Sequence, residues 1–194
     1  MSALPSQSRY IIGTEACERF SFYGMKSILM LYMTGHLLMS DNWATSTLHI
    51  FVGMVYLLPL AGAWLADKVW GRYKTILYIS LLYCVGHGVL ATADLFHTIE
   101  ARRYILMAGL FIIALGAGGI KPCVSAFMGD QIPNKSPQLM TKAFSAFYWA
   151  INLGSFFSFL VIPAMEQRYG YSWAFAVPGL FMGVATFVFW LGRK

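Results

Sequence analysis

The sequence is poor in charged residues. Only 11% of its 194 residues are Asp, Glu, Lys or Arg, whereas 58% are hydrophobic and the mean hydropathy is +0.61. An ordinary soluble domain carries about 25% charged residues, so this composition excludes that class. It indicates a polytopic membrane protein whose main surroundings are a lipid bilayer.

Several other features are also missing. The net charge is +6, but no basic block or basic amphipathic helix occurs, which argues against nucleic acid as a partner. No metal-ligand pair at helical spacing and no nucleophile beside a base is visible, so an enzyme is the least favoured class and we predict no catalytic or metal residues. The three cysteines lie in apolar runs and are expected to pack rather than form disulfides. The N-terminus lacks the short apolar core and cleavage site of a signal peptide, so the first helix is expected to stay.

The chain contains long apolar runs in place of these features. A helix needs about 20 residues to cross a hydrocarbon core of roughly 30 Å, and six runs of about this length divide the chain. The sequence therefore predicts an all-α integral membrane fold with a single six-helix domain over residues 1–194. The predicted transmembrane helices are 10–37, 45–66, 75–94, 104–128, 143–165 and 173–191.

The basic residues between these helices predict the topology. Cytoplasmic loops of membrane proteins carry an excess of Lys and Arg, and this excess sets the orientation. With the N-terminus inside, eight basic residues fall on the cytoplasmic side: Arg9, Lys68, Arg72, Lys74, Lys135, Lys142, Arg193 and Lys194. Only Arg102, Arg103 and Arg168 fall outside. Both termini of this multi-pass protein are therefore predicted to be cytoplasmic.

The first helix carries four charges within an apolar run. Glu15, Glu18, Arg19, Phe22 and Lys26 follow one another at helical spacings of three and four, so they share one face. Four charges at mid-bilayer would cost roughly 10 kcal/mol or more, at about 2.5–3.5 kcal/mol each. We expect this face to look into a water-filled cavity or a polar core and to take part in ion or substrate chemistry.

Polar residues of the other helices are fewer. Lys121 lies about nine residues from Asp130, roughly 13 Å along a helix, which is too far for snorkelling and favours a cavity-facing role. His49 and Tyr56 are seven residues apart and share a face of the second helix. His87 is expected to be packed or interfacial rather than a proton carrier.

The fifth helix carries a polar stripe. Tyr148, Asn152 and Ser155 recur at spacings of four and three, so they lie on one side of the helix, with Gly154 beside them.

The link between the second and third helices is short and charged. It runs from Gly62 to Lys74 and is expected to be a tight cytoplasmic turn, in which Gly71 permits the chain reversal and basic groups compensate Asp67. This link resembles the signature between helices two and three of the major facilitator superfamily. The matching positions are Gly62, Asp67, Lys68, Gly71 and Arg72.

Three further motifs make the resemblance more specific. The sequence Glu15-Ala-Cys-Glu18-Arg19-Phe20, the run Gly118-Gly-Ile-Lys121-Pro122 and the run Phe147-Tyr-Trp-Ala-Ile-Asn152-Leu-Gly-Ser155 resemble motifs of helices one, four and five in the proton-dependent oligopeptide transporter family. That family belongs to the major facilitator superfamily. The similarity covers all 194 residues and implies the N-terminal six-helix bundle of such a transporter.

The resemblance also implies residue roles. A proton-linked network would consist of Glu15, Glu18, Arg19, Lys121 and, less firmly, His49, with the proton as coupling ion and no cofactor. Binding of di- and tripeptides would involve Tyr23, Tyr56, Lys121, Asn152 and Arg19, and gating would involve Gly62, Asp67, Lys68, Gly71 and Arg72. Phe22 departs from the many bacterial members that carry a tyrosine at its position, so any hydroxyl contact there is lost.

Transporters of the family have two six-helix bundles, and this chain has the length of one. The resemblance therefore implies the N-terminal half of a proton-coupled di- and tripeptide symporter in the plasma or inner membrane, which needs a C-terminal six-helix bundle to alternate access. Two alternatives remain open at this point. One is a nitrate, amino-acid or sugar carrier of the same superfamily, and the other is a non-transporting membrane scaffold or receptor.

Overall fold

The structure is a computed structural model, which describes residues 4–193 apart from the side chain of Lys135. Residues 1–3 and Lys194 lie outside the described part, and so does the predicted cytoplasmic position of Lys194. Within the described residues the secondary structure is helical, with no strand.

Seven α-helices follow one another within residues 4–193. They are α1 (Ser6–Leu31), α2 (Asp41–Leu57), α3 (Pro59–Leu65), α4 (Arg72–Ala91), α5 (Ile99–Asp130), α6 (Pro137–Tyr169) and α7 (Tyr171–Leu191). Wider π-helical turns extend α1 over Tyr32–His36 and α3 over Ala66–Trp70. Short 3-10 turns occupy Ala93–Leu95 and Pro133–Lys135.

Among the residues that the structure describes, five helical segments are long and apolar enough to cross a membrane. They are Asp41–Trp70, Arg72–Leu95, Ile99–Asp130, Pro137–Tyr169 and Tyr171–Leu191. Helix α1 has a comparable length of 26 residues, and its charged side chains lower its apolar character. Counting α2 and α3 as one bent span gives six long helices, which confirms the predicted all-α membrane fold class.

The helix bounds differ from the predicted ones. Helices α5 and α6 extend beyond 104–128 and 143–165 because polar residues at their ends continue the helix past the apolar run. The second span has a break at Leu58, where Pro59 starts α3 and supplies no backbone N–H. The predicted turn over 62–74 is much shorter in the structure. Only Gly71 interrupts the helices, with a φ of 77° that favours glycine.

Helices α1 and α4 form the centre of the bundle. Helix α1 packs against α6 and α7, α4 packs against α5 and α7, and α2 and α3 pack on α5. Gly62 and Gly119 bring α3 and α5 into backbone contact, because a Cβ on Gly62 would collide with the main chain of Gly119. The packing of these helices surrounds the polar face of α1 with other helices.

Candidate functional site

Three charged side chains of α1 form a buried cluster. Glu15, Glu18 and Arg19 are 6%, 1% and 6% exposed. Arg19 Nε lies 3.0 Å from Glu15 Oε1, and Arg19 Nη2 forms an ion pair with Glu18 Oε2. One guanidinium therefore serves two carboxylates, which leaves the cluster with one uncompensated negative charge when both carboxylates are ionised.

The helical spacing and the neighbouring helices explain this arrangement. Residues three and four apart project from one side of a helix, so all three side chains reach the same space. Gly154 lets α6 approach α1 closely, because a Cβ at that position would collide with the Ala16 carbonyl. Of the two predicted settings, a water-filled cavity or a polar core, the structure of the described residues shows the polar core. Lys26, on the same face, is half-buried.

Lys121 lies next to aromatic rings rather than carboxylates. Its Nζ is 4.8 Å from the ring centroid of Phe22 and 5.2 Å from that of Tyr56. Among the described residues, no carboxylate lies within 4.0 Å of it. Such cation–π contacts hold an ammonium group without neutralising its charge. The centroid of the Phe22 ring also lies 5.8 Å from Arg19 Cζ, so one ring contacts both cations.

The predicted peptide-binding residues lie around these cations. Tyr23 is half-buried and contacts Phe22, with ring centroids 5.5 Å apart. Tyr56 is 74% exposed, and Asn152 is exposed with its side-chain amide donating to the Tyr148 carbonyl of its own helix at 2.8 Å. Tyr23 and Tyr56 therefore lie near Arg19 and Lys121. Asn152 lies instead on an exposed face of α6.

His49 stands apart from the buried cluster. It is exposed on α2, two turns before Tyr56, and no described side chain forms a hydrogen bond or ion pair with it. Its predicted proton role therefore has no contact with Glu15 or Glu18 in this arrangement.

The residues predicted to form the gating link make a second ionic group. Arg72 forms an ion pair with Asp130 at the end of α5, and its Nε lies 4.0 Å from Asp67 Oδ1. The expected compensation of Asp67 by a basic group is thus supplied by Arg72, whereas Lys68 is exposed. Gly71 makes the turn that separates Lys68 from Arg72.

Two further polar residues belong to these groups, and the sequence analysis missed them. Asp130 binds Arg72, and its position at the polar end of the fourth long helix was the available signal. Tyr83 is fully buried on α4 and stacks on His87, whose Nε2 lies 2.9 Å from Ser21 Oγ on the charged helix α1. Its spacing of four residues from His87 placed both on one helix face, but sequence alone did not show that this face meets α1.

A bent, six-span bundle with an internal charge cluster defines a transporter-like membrane protein, and comparison with known proteins specifies its family. The model of the PTR2, or POT, family matches residues 73–194. The chain therefore belongs to the POT family, which is a family of transporters rather than enzymes.

Relatives and solved structures agree with this assignment. Human solute carrier family 15 member 2 is 41% identical over 201 residues, covering 100% of this chain and 28% of the relative. The crystal structure of the POT family transporter PepTSo is similar over 100% of this chain and 38% of its own, with a TM-score of 0.90 and 48% identity. A structure described as a proton dependent oligopeptide (POT) family transporter is 50% identical over 95% of this chain and 41% of its own, with a TM-score of 0.84. The chain thus spans less than half the length of the proteins it matches.

Proposed function

We propose that this chain forms the N-terminal six-helix half of a proton-coupled di- and tripeptide symporter that works by alternating access. The observation that carries the proposal is the Arg19 guanidinium shared by two buried carboxylates, Glu15 and Glu18, with the unneutralised Lys121 nearby on α5. Buried charge inside a membrane protein is costly and marks ion or substrate pathways. Membership of the POT family supports the same reading.

The charge balance of the cluster supports a proton-linked role. Two carboxylates compete for one guanidinium, so the proton affinity of either depends on which of them Arg19 pairs with. Protonation of one carboxylate leaves Arg19 paired with the other and weakens the field that attracts Lys121. The Lys121 ammonium group, which contacts aromatic rings rather than a carboxylate, is then available to the carboxylate of a peptide. Glu15, Glu18, Arg19 and Lys121 are therefore the proposed coupling residues.

The surroundings of Lys121 support a peptide-binding role. Its ammonium group is held by the Phe22 and Tyr56 rings and remains free of carboxylates among the described residues, as an anion-binding group requires. Tyr56, whose ring contacts this ammonium group, and Tyr23, which contacts Phe22, each carry a hydroxyl group, and Asn152 offers an amide that bonds to its own helix. Such groups can hydrogen-bond the backbone and termini of a short peptide without reading its side chains.

The second ionic group supports a gating role. Arg72 links the chain on either side of Gly71 to Asp130 at the end of α5, so it ties three helical segments together. The side chains are partly solvated, which keeps the cost of breaking these pairs low. Gly62, Asp67, Lys68, Gly71 and Arg72 would therefore open and close one end of the protein against a C-terminal bundle.

The orientation and the missing half complete the proposal. The excess of Lys and Arg puts both termini of the bundle in the cytoplasm, with Gly71 on that side. The exposed Tyr56 and Asn152 give one wall of a cavity whose other wall a second bundle would supply.

Uptake should therefore require co-expression of this chain with a C-terminal half, and uptake by this bundle alone would contradict the proposal. Cysteines placed at 131 and 98 should label from the cytoplasmic and outer side, respectively.

Replacement of Lys121 tests the function. In the complete transporter in proteoliposomes, Lys121→Ala should abolish uptake of dialanine driven by a pH gradient. Lys142→Ala, which removes an exposed lysine of α6, is the matched control and should retain uptake. Unlabelled di- and tripeptides should compete with dialanine, whereas nitrate, free amino acids and sugars should not. Wild-type uptake by Lys121→Ala would remove Lys121 from the mechanism.

A further inference from the structure

An apolar groove opens on the surface of the bundle where α3, α4 and α5 meet. Its volume is about 250 Å³, and none of its described lining residues is charged. Pockets that bind small molecules usually have volumes of about 300–1,000 Å³. The groove therefore suits a slender apolar group rather than a bulky one.

Small residues create the groove. Gly62 and Gly119 line it and carry no side chain that could fill it, and their close contact draws α3 onto α5. Ala61, which also lines the groove, is exposed and small. The groove reaches Leu58, where the second span breaks before Pro59. An occupant of the groove would therefore cover the bend in the second span.

A row of side chains on α4 leads from the groove to the end of the bundle that contains Gly71. Lys74, Tyr78 and Leu82 follow one another at intervals of four residues, and all three are exposed. Tyr78 and Leu82 line the groove, so Lys74 stands one helical turn beyond its lining. The rise from Lys74 to Leu82 is about 12 Å, less than the roughly 15 Å of half a hydrocarbon core. The row therefore fits within one leaflet of a bilayer.

Two aromatic rings flank the groove at the same end. Trp70, which directly precedes Gly71, meets Tyr78 edge to face, with ring centroids 5.4 Å apart and an interplanar angle of 86°. Both residues line the groove and are exposed. Trp and Tyr are enriched where membrane spans reach the lipid headgroups. The pair therefore indicates that this end of the groove lies at the level of the headgroups.

Two lysines at this end have no carboxylate partner. Lys68 and Lys74 are exposed, and no described carboxylate lies within 4.0 Å of either ammonium group. The nearby Asp67 and Asp130 both lie against Arg72 instead. These five side chains together carry a net positive charge. The end of the groove is therefore complementary to an anion.

We propose that the groove binds an anionic phospholipid from the leaflet at the Gly71 end, with one acyl chain in the groove and the phosphate at Lys74 and Lys68. Basic residues beside a membrane span attract anionic lipids. A further transmembrane helix, about 10–12 Å wide, is too bulky for this groove and carries no anion that the lysines require. The inference needs only the membrane-spanning fold and is independent of the proposed function.

The test is photo-crosslinking of lipid to the complete transporter. Phosphatidylcholine vesicles receive a small fraction of either phosphatidylglycerol or phosphatidylcholine with a photoactivatable acyl chain, and the labelled peptides are mapped. Phosphatidylglycerol should label the groove residues of α3 and α4 more strongly than phosphatidylcholine does. Lys74→Gln should lower this preference about fivefold, since each lysine near an anionic lipid surface contributes about that factor in affinity. Lys68→Gln combined with Lys74→Gln should abolish it.

Filling the groove tests the position of the acyl chain. Ala61→Phe places a ring in the groove from an exposed position and should remove the groove labelling. The matched controls are Ala164→Phe and Lys142→Gln, which change an exposed alanine and an exposed lysine of α6 and should leave labelling and preference unchanged.

Three results would overturn the inference. They are equal labelling of the wild-type groove by the two lipids, full groove labelling in Ala61→Phe, and a disulfide between Ala61→Cys and a cysteine of the C-terminal half, which would show that the second bundle covers the groove. Should Ala61→Phe fail to fold, the lipid preference of Lys74→Gln decides. Labelling is measured without transport, so its outcome is separate from the test of the proposed function.

Discussion

The part of the chain that the structure describes contains two groups in which one arginine serves two carboxylates, and they differ in solvation. Arg19 with Glu15 and Glu18 is sealed inside the bundle, with side chains 8%, 9% and 1% exposed. The side chains of Arg72, Asp67 and Asp130 are 38%, 61% and 47% exposed. The pairing of one arginine with two carboxylates thus occurs once in the buried interior and once at a solvent-exposed helix end.

Solvation decides what each group can do. Breaking a buried ion pair leaves a charge without water, so its members are held tightly and respond strongly to a proton. An exposed pair exchanges its partner for water at little cost and is weakened by salt. The buried group is therefore suited to sensing protonation, and the exposed group to opening and closing during a transport cycle.

Removal of Arg19 should have the largest effect. Arg19→Leu leaves Glu15 and Glu18 buried together without a cation, which we expect to destabilise the bundle by about 3–5 kcal/mol and to abolish proton-driven dialanine uptake. Thermal unfolding of the purified complete transporter measures the first effect. Arg72→Leu is the matched control at the exposed group, and equal losses of stability in the two variants would contradict the comparison.

Neutralising one buried carboxylate should separate coupling from folding. Glu18→Gln keeps the size of the side chain and removes its charge, so we expect proton-driven uptake to fall at least tenfold, equivalent to about 1.4 kcal/mol or more, while the unfolding temperature changes little. The two measurements are dipeptide uptake driven by a pH gradient and dipeptide exchange without a gradient. Glu100→Gln, which neutralises an exposed carboxylate of α5, is the control and should retain uptake. If Glu18→Gln lowered stability but left coupled uptake intact, the charge would serve assembly, as in a membrane scaffold.

The difference between the two groups was only partly predictable from sequence. The helical spacing of Glu15, Glu18 and Arg19 predicted a shared face, and the apolar runs predicted six long helices, because both are local properties of the chain. The ion pair of Arg72 with Asp130 and the contact of Ser21 with His87 join residues of different helices. Such contacts depend on how the helices pack, which no local pattern encodes.

The same limit applies to Lys121. Its isolation in an apolar run predicted a functional lysine, and the structure places it on the Phe22 and Tyr56 rings instead of beside Glu15 or Glu18. The resemblance to the family implied that a hydroxyl contact is lost at Phe22. In the packed bundle the Phe22 ring lies next to both Arg19 and Lys121.

Replacement of Phe22 should raise the solvent exposure of the buried group without changing its charges. Phe22→Leu removes the ring that contacts Arg19 and Lys121, and each lost cation–π contact is worth about 0.5–2 kcal/mol. We expect a several-fold rise in the KM for dialanine and a smaller change in maximal rate. Phe22→Tyr keeps the ring and serves as the control. A KM that is equal in Phe22→Leu and Phe22→Tyr would show that the ring does not hold Lys121.

The smallest effect is expected at the exposed group. Arg72→Gln removes both of its ion pairs, but partly solvated pairs contribute only about 0–1 kcal/mol, so the unfolding temperature should hardly change. Any difference from wild type should shrink as salt is raised, since charges in water are screened beyond about 8 Å at physiological ionic strength. The stability loss in Arg19→Leu should persist at the same salt concentrations, because the side chains of that cluster are 9% exposed or less and buried charges are screened much less. A salt-independent loss in Arg72→Gln would mean that the gating link is held by buried contacts, and that both arginine groups behave alike.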